Sequence, residues 1–257
     1  DTIGISVYTV QPADGSLELV QTLPSDNAFF FDFDAEQRHL YGVNVIDDFA
    51  GGANGSVEAY ARDPETGKLT LLNRVDAGGA IPAQPAVSPS GRWLVVANYS
   101  GANLTVFPIE PDGSLGTLAS ETKRTGSGPD ATRQDQARPH AALFAPAGNF
   151  LTIADLGTDE VVIYALDHDA GQLTEISSVR VTPGAGPRHV AFDASGTRLY
   201  ILTEMGSGID LFACDPATGQ IGELLQRVSA VPEPFVGTKA SAEILIHPSG
   251  KFLYNSN

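Results

Sequence analysis

The chain contains a single cysteine, Cys214, so it can form no internal disulfide. It has no apolar run of the roughly 18 residues that a membrane-spanning helix needs. No charged-then-apolar leader opens it. Lysine is scarce and the formal net charge is −16. Contact with a phosphate backbone needs clustered Lys and Arg, so nucleic acid is not an expected partner, and without a long apolar run neither is a membrane. The five histidines lack His-x-x-x-His spacing, so no metal site is expected. No Walker loop, dinucleotide fingerprint or Gly-x-Ser-x-Gly elbow occurs, so no cofactor and no serine-hydrolase chemistry is expected. No helical apolar stripe exceeds two turns, which leaves an all-β class. The lone thiol fits a reducing, cytoplasmic location.

What is present is repetition. Residues 84–98, 139–155, 187–203 and 242–257 share one grammar, and 27–44 is a worn fifth copy. The turn glycines Gly91, Gly148, Gly196 and Gly250 lie 57, 48 and 54 residues apart. Each unit starts with an alternating run such as His189-Val-Ala-Phe-Asp193, then a turn such as Ala194-Ser-Gly196. A more continuously apolar run follows, such as Trp93-Leu-Val-Val-Ala97, as suits a strand covered on both faces. A third run (Val161-Val-Ile-Tyr164), a second turn (Asp215-Pro-Ala-Thr-Gly219) and an amphipathic fourth run complete the unit. Four antiparallel strands at this period make a propeller blade, so the expectation is a β-propeller of four-stranded antiparallel blades in one domain over 1–257. The chain opens on a third strand, from Ile3, and ends after a second one. About five blades' worth is therefore expected. Either the ends merge into one composite blade of a five-bladed ring, or the chain is cut from a larger ring. Residues 119–138 read as an irregular insertion over one face.

In a propeller, first strands line the central channel and the loops at one end form its mouth. Polar residues that start a first strand or follow a second strand converge there. His140, Arg188, Glu204 and Glu243 qualify. Arg188 can grip an oxyanion in a fork. His140 can move a proton or donate to an oxyanion. Glu204 follows an apolar run, a low-dielectric setting suited to a general acid or base. Each also has a plainer reading: His140 as a loop cap, Glu204 as a salt-bridge partner of Arg188. By strand alternation His189 and His247 are core or turn residues. Asp155 and Asn98 occupy equivalent positions after second strands and serve either loop hydrogen bonding or substrate contact. Arg133, Arg138 and Lys239 are candidate anion contacts at the mouth, against a default of solvated loop.

Arg138-Pro-His140, Gly184-Ala-Gly-Pro-Arg-His-Val-Ala-Phe192, Leu202-Thr-Glu204 and Ala242-Glu-Ile244 with His247-Pro-Ser-Gly-Lys-Phe-Leu-Tyr254 resemble the lactonase family of seven-bladed propellers. That family holds 6-phosphogluconolactonase-type enzymes and the fungal 3-carboxy-cis,cis-muconate lactonizing enzyme. The resemblance covers essentially the whole chain. It implies a seven-bladed ring with its C-terminal blades absent here, and a catalytic cluster of His140, Arg188 and Glu204. It further implies hydrolysis of a small anionic lactone, with Glu204 or His140 activating water. Glu243, Arg138, Asp155, Asn98 and Lys239 are the expected substrate-binding residues. Carboxymuconate cycloisomerisation and a non-catalytic binding scaffold are the alternatives. Two positions depart from the family pattern: Arg138 stands where a second histidine is common, and Leu245 where an arginine is common.

Overall fold

A computed structural model describes residues 4–148 and 150–257. Strands β1 (Ile5–Val10) and β2 (Leu17–Leu23) pair as a two-stranded sheet. Four four-stranded sheets follow: β3 (Ala28–Phe33), β4 (His39–Asn44), β5 (Ser56–Arg62) and β6 (Leu69–Asp76); β7 (Pro82–Val87), β8 (Trp93–Asn98), β9 (Asn103–Pro108) and β10 (Ser120–Lys123); β11 (Pro139–Phe144), β12 (Phe150–Asp155), β13 (Glu160–Leu166) and β14 (Leu173–Arg180); β15 (Pro187–Phe192), β16 (Arg198–Thr203), β17 (Gly208–Cys214) and β18 (Ile221–Ser229). A second two-stranded sheet joins β19 (Ile244–Ile246) to β20 (Leu253–Asn255). In every sheet, sequence neighbours pair antiparallel. β1 and β20 lie in different sheets, so the composite-blade reading is not what forms. The strand expected from Ile3 begins at Ile5, and Ile3 lies outside the described residues. The expected insertion is shorter than 119–138, because its first part is the polar edge strand β10. Among the described residues, no helix is long and apolar enough to cross a membrane.

The apolar runs explain the layering. Every residue of β8 is buried. Trp93, Val95 and Ala97 pack toward Leu151, Ile153 and Val162 of the next sheet. Leu94 and Val96 point the other way, toward Tyr41, Val43 and Val57. Alternation with a period of two therefore feeds two cores from one strand. Ala154, Val161, Leu199 and Ile201 form the next inter-sheet core, and Leu202, Ile209 and Ile244 the one beyond it. Hydrophobic burial lies between blades, and it holds the blades in a radial stack.

The turn chemistry matches. Gly91, Gly148, Gly196 and Gly250 have φ of 68, 75, 71 and 69°, a left-handed conformation that a side chain resists. In the worn copy Gln37 takes that place at φ 54°. Side-chain stitches join successive sheets at one repeated position of the outer strand. Gln21 bonds the backbone of Leu69, Asn73 that of Leu115, Ser120 that of Gly171 and Ser177 that of Gly219.

The first strands β3, β7, β11, β15 and β19 are neighbours in that order around the axis. No strand ladder joins them, so side chains do. Asp32 accepts from Val87 N at 2.8 Å, and Gln84 Oε1 accepts from Ala142 N at 3.2 Å. Burial pushes the Asp32 carboxyl up to about 6.

If the cores between blades carry the stability, Leu199→Ala, at a fully buried position, costs about 2–5 kcal/mol in urea unfolding. Leu225→Ala, at a site 47% exposed on β18, stays within about 0.5 kcal/mol. Equal losses would contradict the layering.

Candidate functional site

The site begins with a recurrent defect in the strands. Four first strands carry one extra residue at their second position. Pro187 opposes Thr203 and His189 opposes Leu202, which leaves Arg188 bulged out. The same shift isolates His140 in β11, Ala83 in β7 and Phe29 in β3. A bulge re-aims the side chains around it. It places both Arg188 and the following His189 at one end of the axis. Strand alternation alone assigns His189 to the core.

Arg188 donates from Nε to Glu204 Oε2 at 3.0 Å and from Nη1 to the carbonyl of Ala242. The other oxygen of Glu204, Oε1, accepts from Arg133 Nη2 at 2.6 Å. Both carboxylate oxygens are therefore taken by guanidinium groups. Glu204 has the low-dielectric setting expected of it, its side chain being only 13% exposed, but it serves to hold two arginines.

His140 is buried, edge-on to Tyr99 and to His189 with ring centroids 5.4 Å away in each case. Burial first, then the positive charge of Arg188, holds its imidazole well below the usual histidine range, so it is neutral at pH 7. Among the described residues its Nδ1 is buried without a hydrogen-bond partner. Tyr99 also stacks beneath Arg138, whose guanidinium carbon sits 5.0 Å from the ring centre, and it accepts from Arg133 Nη2 at 3.4 Å. His189 is buried and its Nδ1 lies 2.8 Å from Glu243 Oε1. Burial works against ionisation of Glu243, but the His189 hydrogen bond and the charge of Arg188 outweigh it and hold the carboxyl below its ordinary value. Below this cluster, a cavity of about 300 Å³ is lined by Phe30, Gln84, His189 and Glu243. Three larger hollows, of about 610, 510 and 380 Å³, contain none of these residues.

Arg133 and Arg138 arrive on the loop 124–138. Gln134 plugs that loop into the neighbouring blade, donating to the Leu156 carbonyl at 2.8 Å and to Asp159 Oδ1 at 2.7 Å. Asp159 also accepts from Gly184 N and Gly186 N, at the approach to Arg188. One buried carboxylate thus fixes both the loop that brings Arg133 and the segment that brings Arg188. Arg138 is mostly buried and pairs with Asp135 at 2.6 Å.

The structure brings together His140, Arg188, Glu204, Glu243 and Arg138. It does not bring in Asn98, Asp155 or Lys239. Asn98 is wholly buried, bonding Ala77 O and Thr105. Asp155 is also wholly buried and accepts from Arg138 N at 2.7 Å, Gly157 N at 3.1 Å and Arg124 Nε at 3.1 Å. The last residue of these second strands instead serves nearby backbone groups that need partners, Asp155 by accepting and Asn98 by donating. Lys239 is exposed on the loop 232–240. Tyr99 and His189 supply contacts that the expected residues left out, while Arg133, read as a candidate anion contact, and Glu243 both stand in the cluster. Register could have found Tyr99, since it follows Asn98 as Glu204 follows Thr203.

A propeller with a polar, cationic cluster at one end of its axis is an architecture that binds small polar ligands. The whole chain, residues 1–257, matches the family model described as "Lactonase, 7-bladed beta-propeller". It belongs to that family. It is 35% identical over 218 residues to the 6-phosphogluconolactonase of Bacillus subtilis, covering 85% of this chain and 60% of that one. It is 30% identical to the 6-phosphogluconolactonase of Formosa agariphila, covering 99% of this chain and 71% of that one. The structure of the periplasmic gluconolactonase of Pseudomonas aeruginosa superposes with a TM-score of 0.88 at 29% identity, over 97% of this chain and 70% of that one. A Lactobacillus plantarum protein gives 0.87 at 31% identity, over 99% of this chain and 71% of that one.

Two outcomes test this geometry. A Cβ on Gly157 would stand 1.9 Å from the carbonyl oxygen of Gln136, so Gly157→Ala displaces the loop that delivers Arg133 and Arg138. Amide exchange in 130–138 should rise at least tenfold, and unchanged protection contradicts the tethering. The second outcome concerns His140, whose folded form refuses a proton that the unfolded chain takes up below about pH 6.5. Its contribution to stability is complete above that pH and is lost as the pH falls. Between pH 7 and 5 the wild type should lose about 1–2 kcal/mol more than His140→Gln in urea unfolding. Equal losses would mean that the folded imidazole takes up the proton.

Proposed function

We propose that this protein hydrolyses a sugar lactone of the 6-phosphogluconolactone type. The observation that carries the reading is the Arg133–Glu204–Arg188 bridge beside the neutral, buried His140. In lactone hydrolysis, water adds to the ring carbonyl and negative charge develops on its oxygen. Fixed donors aimed at that oxygen are the main catalytic requirement. Arg188 has committed Nε and Nη1, which leaves Nη2 for a ligand. The buried, unpartnered Nδ1 of His140 suits a lone pair, with the proton on Nε2 as a second donor. Glu204 orients the two guanidinium groups and takes no proton itself. Arg133 and Arg138 give an acidic chain of net charge −16 a local cationic mouth for a phosphate or carboxylate. They replace Lys239 in that role.

The names of the Bacillus and Formosa relatives support the reading. The unpaired Cys214 agrees with a cytoplasmic site of action, whereas the Pseudomonas neighbour is named periplasmic. Arg188→Ala should lower kcat/KM for 6-phosphoglucono-δ-lactone by about 10²–10³-fold in a pH-stat assay, measured above spontaneous hydrolysis. An undiminished rate refutes the assignment. Consumption of 3-carboxymuconate in place of lactone would transfer the site to cycloisomerisation.

A further inference from the structure

We infer that His189, backed by Glu243, is the general base that activates the attacking water; the inference rests on the lactonase reading above. Hydrolysis needs a group that takes a proton from water and returns one to the leaving ring oxygen. Glu204 is a poor candidate, since Arg133 and Arg188 occupy both of its oxygens. His140 is also a poor one. Burial and the adjacent Arg188 oppose any positive charge on it, and among the described residues its buried Nδ1 has no carboxylate partner.

His189 has what His140 lacks. Its Nδ1 is 2.8 Å from Glu243 Oε1, and a carboxylate there fixes the tautomer with Nδ1–H donated and the basic lone pair on Nε2. Nε2 has no hydrogen-bond partner among the described residues. Glu243 is itself fixed: its Oε1 also accepts from Ile244 N at 2.8 Å, and its backbone N–H donates to Ser256 Oγ at 3.1 Å. Phe30, with its ring centre 5.3 Å away, packs against the imidazole from β3. The pair lines the axial cavity, and His140 touches His189 from the mouth side. A carbonyl held by Arg188 and His140 is then next to a buried, oriented imidazole. The charged and titratable groups around His189 are Glu243 before β19, Arg188 on its own strand and His140 from β11. Arg133 and Glu204 act at one remove.

The step balances without a co-reactant. Nε2 of His189 takes one proton from water as the hydroxide oxygen bonds to the carbonyl carbon. The resulting imidazolium is stabilised by Glu243. When the tetrahedral intermediate collapses, the bond from the carbonyl carbon to the ring oxygen breaks. The imidazolium passes its proton to that oxygen. The products are the open hydroxy acid and neutral His189.

The test compares wild type, His189→Gln, Glu243→Gln and Glu243→Asp in hydrolysis of 6-phosphoglucono-δ-lactone between pH 5 and 8. Circular dichroism of each variant reports folding. His189→Gln should lower kcat about 10²–10³-fold with KM within threefold, and should lose the acidic limb of the kcat profile. Glu243→Gln should lower kcat about tenfold and move that limb to lower pH, and Glu243→Asp should restore most of both. A folded His189→Gln that keeps kcat within threefold overturns the inference and leaves the lactonase reading intact. If His189→Gln does not fold, Glu243→Gln decides: a limb unmoved from wild type overturns the inference, and a limb moved to lower pH supports it. A wild type inactive on lactones overturns both.

Discussion

A single carboxylate shared by two guanidinium groups organises the mouth of this propeller. Glu204 stands at the end of a second strand, Arg188 at the bulge of a first strand and Arg133 on a loop from another blade. The β15–β16 ladder sets Arg188 beside Glu204, and the backbone N–H of Glu204 donates to the carbonyl of Gly186 at 2.8 Å, whereas Arg133 joins them through its side chain alone. Removing Glu204 would leave two half-buried cations facing each other in a site already hostile to positive charge, as the suppressed protonation of His140 shows. With the carboxylate on Nε and the Ala242 carbonyl on Nη1, Arg188 keeps Nη2 without a hydrogen-bond partner among the described residues. The role of Glu204 is positional, and the chemistry falls to the groups that it positions.

The blade repeat explains why such groups meet. Cores between sheets fix the radial stack, so the bulged second residue of β3, β7, β11 and β15 occupies an equivalent place in each blade. The bulge recurs at Phe29, Ala83, His140 and Arg188, while chemistry occupies only the last two. The scaffold therefore offers equivalent positions, and side-chain identity decides which of them act. Buried polar residues one step away do another job. Asp155 accepts from backbone and guanidinium donors, Asn98 donates to the Ala77 carbonyl and the Thr105 hydroxyl, and Asp159 ties the loop of Arg133 to the approach of Arg188.

Much of this was legible in the chain. The spaced turn glycines give the blades, and even the worn copy keeps its left-handed turn at Gln37. His140, Arg188, Glu204 and Glu243 follow from strand ends in a radial fold. What escaped has a physical cause in each case. The bulge at Arg188 overrides simple alternation and brings His189 into the site. Arg133 was legible as a candidate anion contact, but its pairing with Glu204 depends on the path of a long loop, set by Gln134 and Asp159, contacts remote in sequence. Tyr99 sits at the Glu204 register but lacks a charge to draw attention. The edge strand β10 is short and polar, with no apolar run to mark it.

The most direct test of the central claim is a crystal structure of the protein with the hydroxy-acid product 6-phosphogluconate. The account predicts the product carboxylate within hydrogen-bond distance of Arg188 and His140, its phosphate near Arg133 or Arg138, and the Glu204 bridge intact. Product density in an outer hollow, or a mouth in which Glu204 has left both arginines to bind nothing, would contradict it.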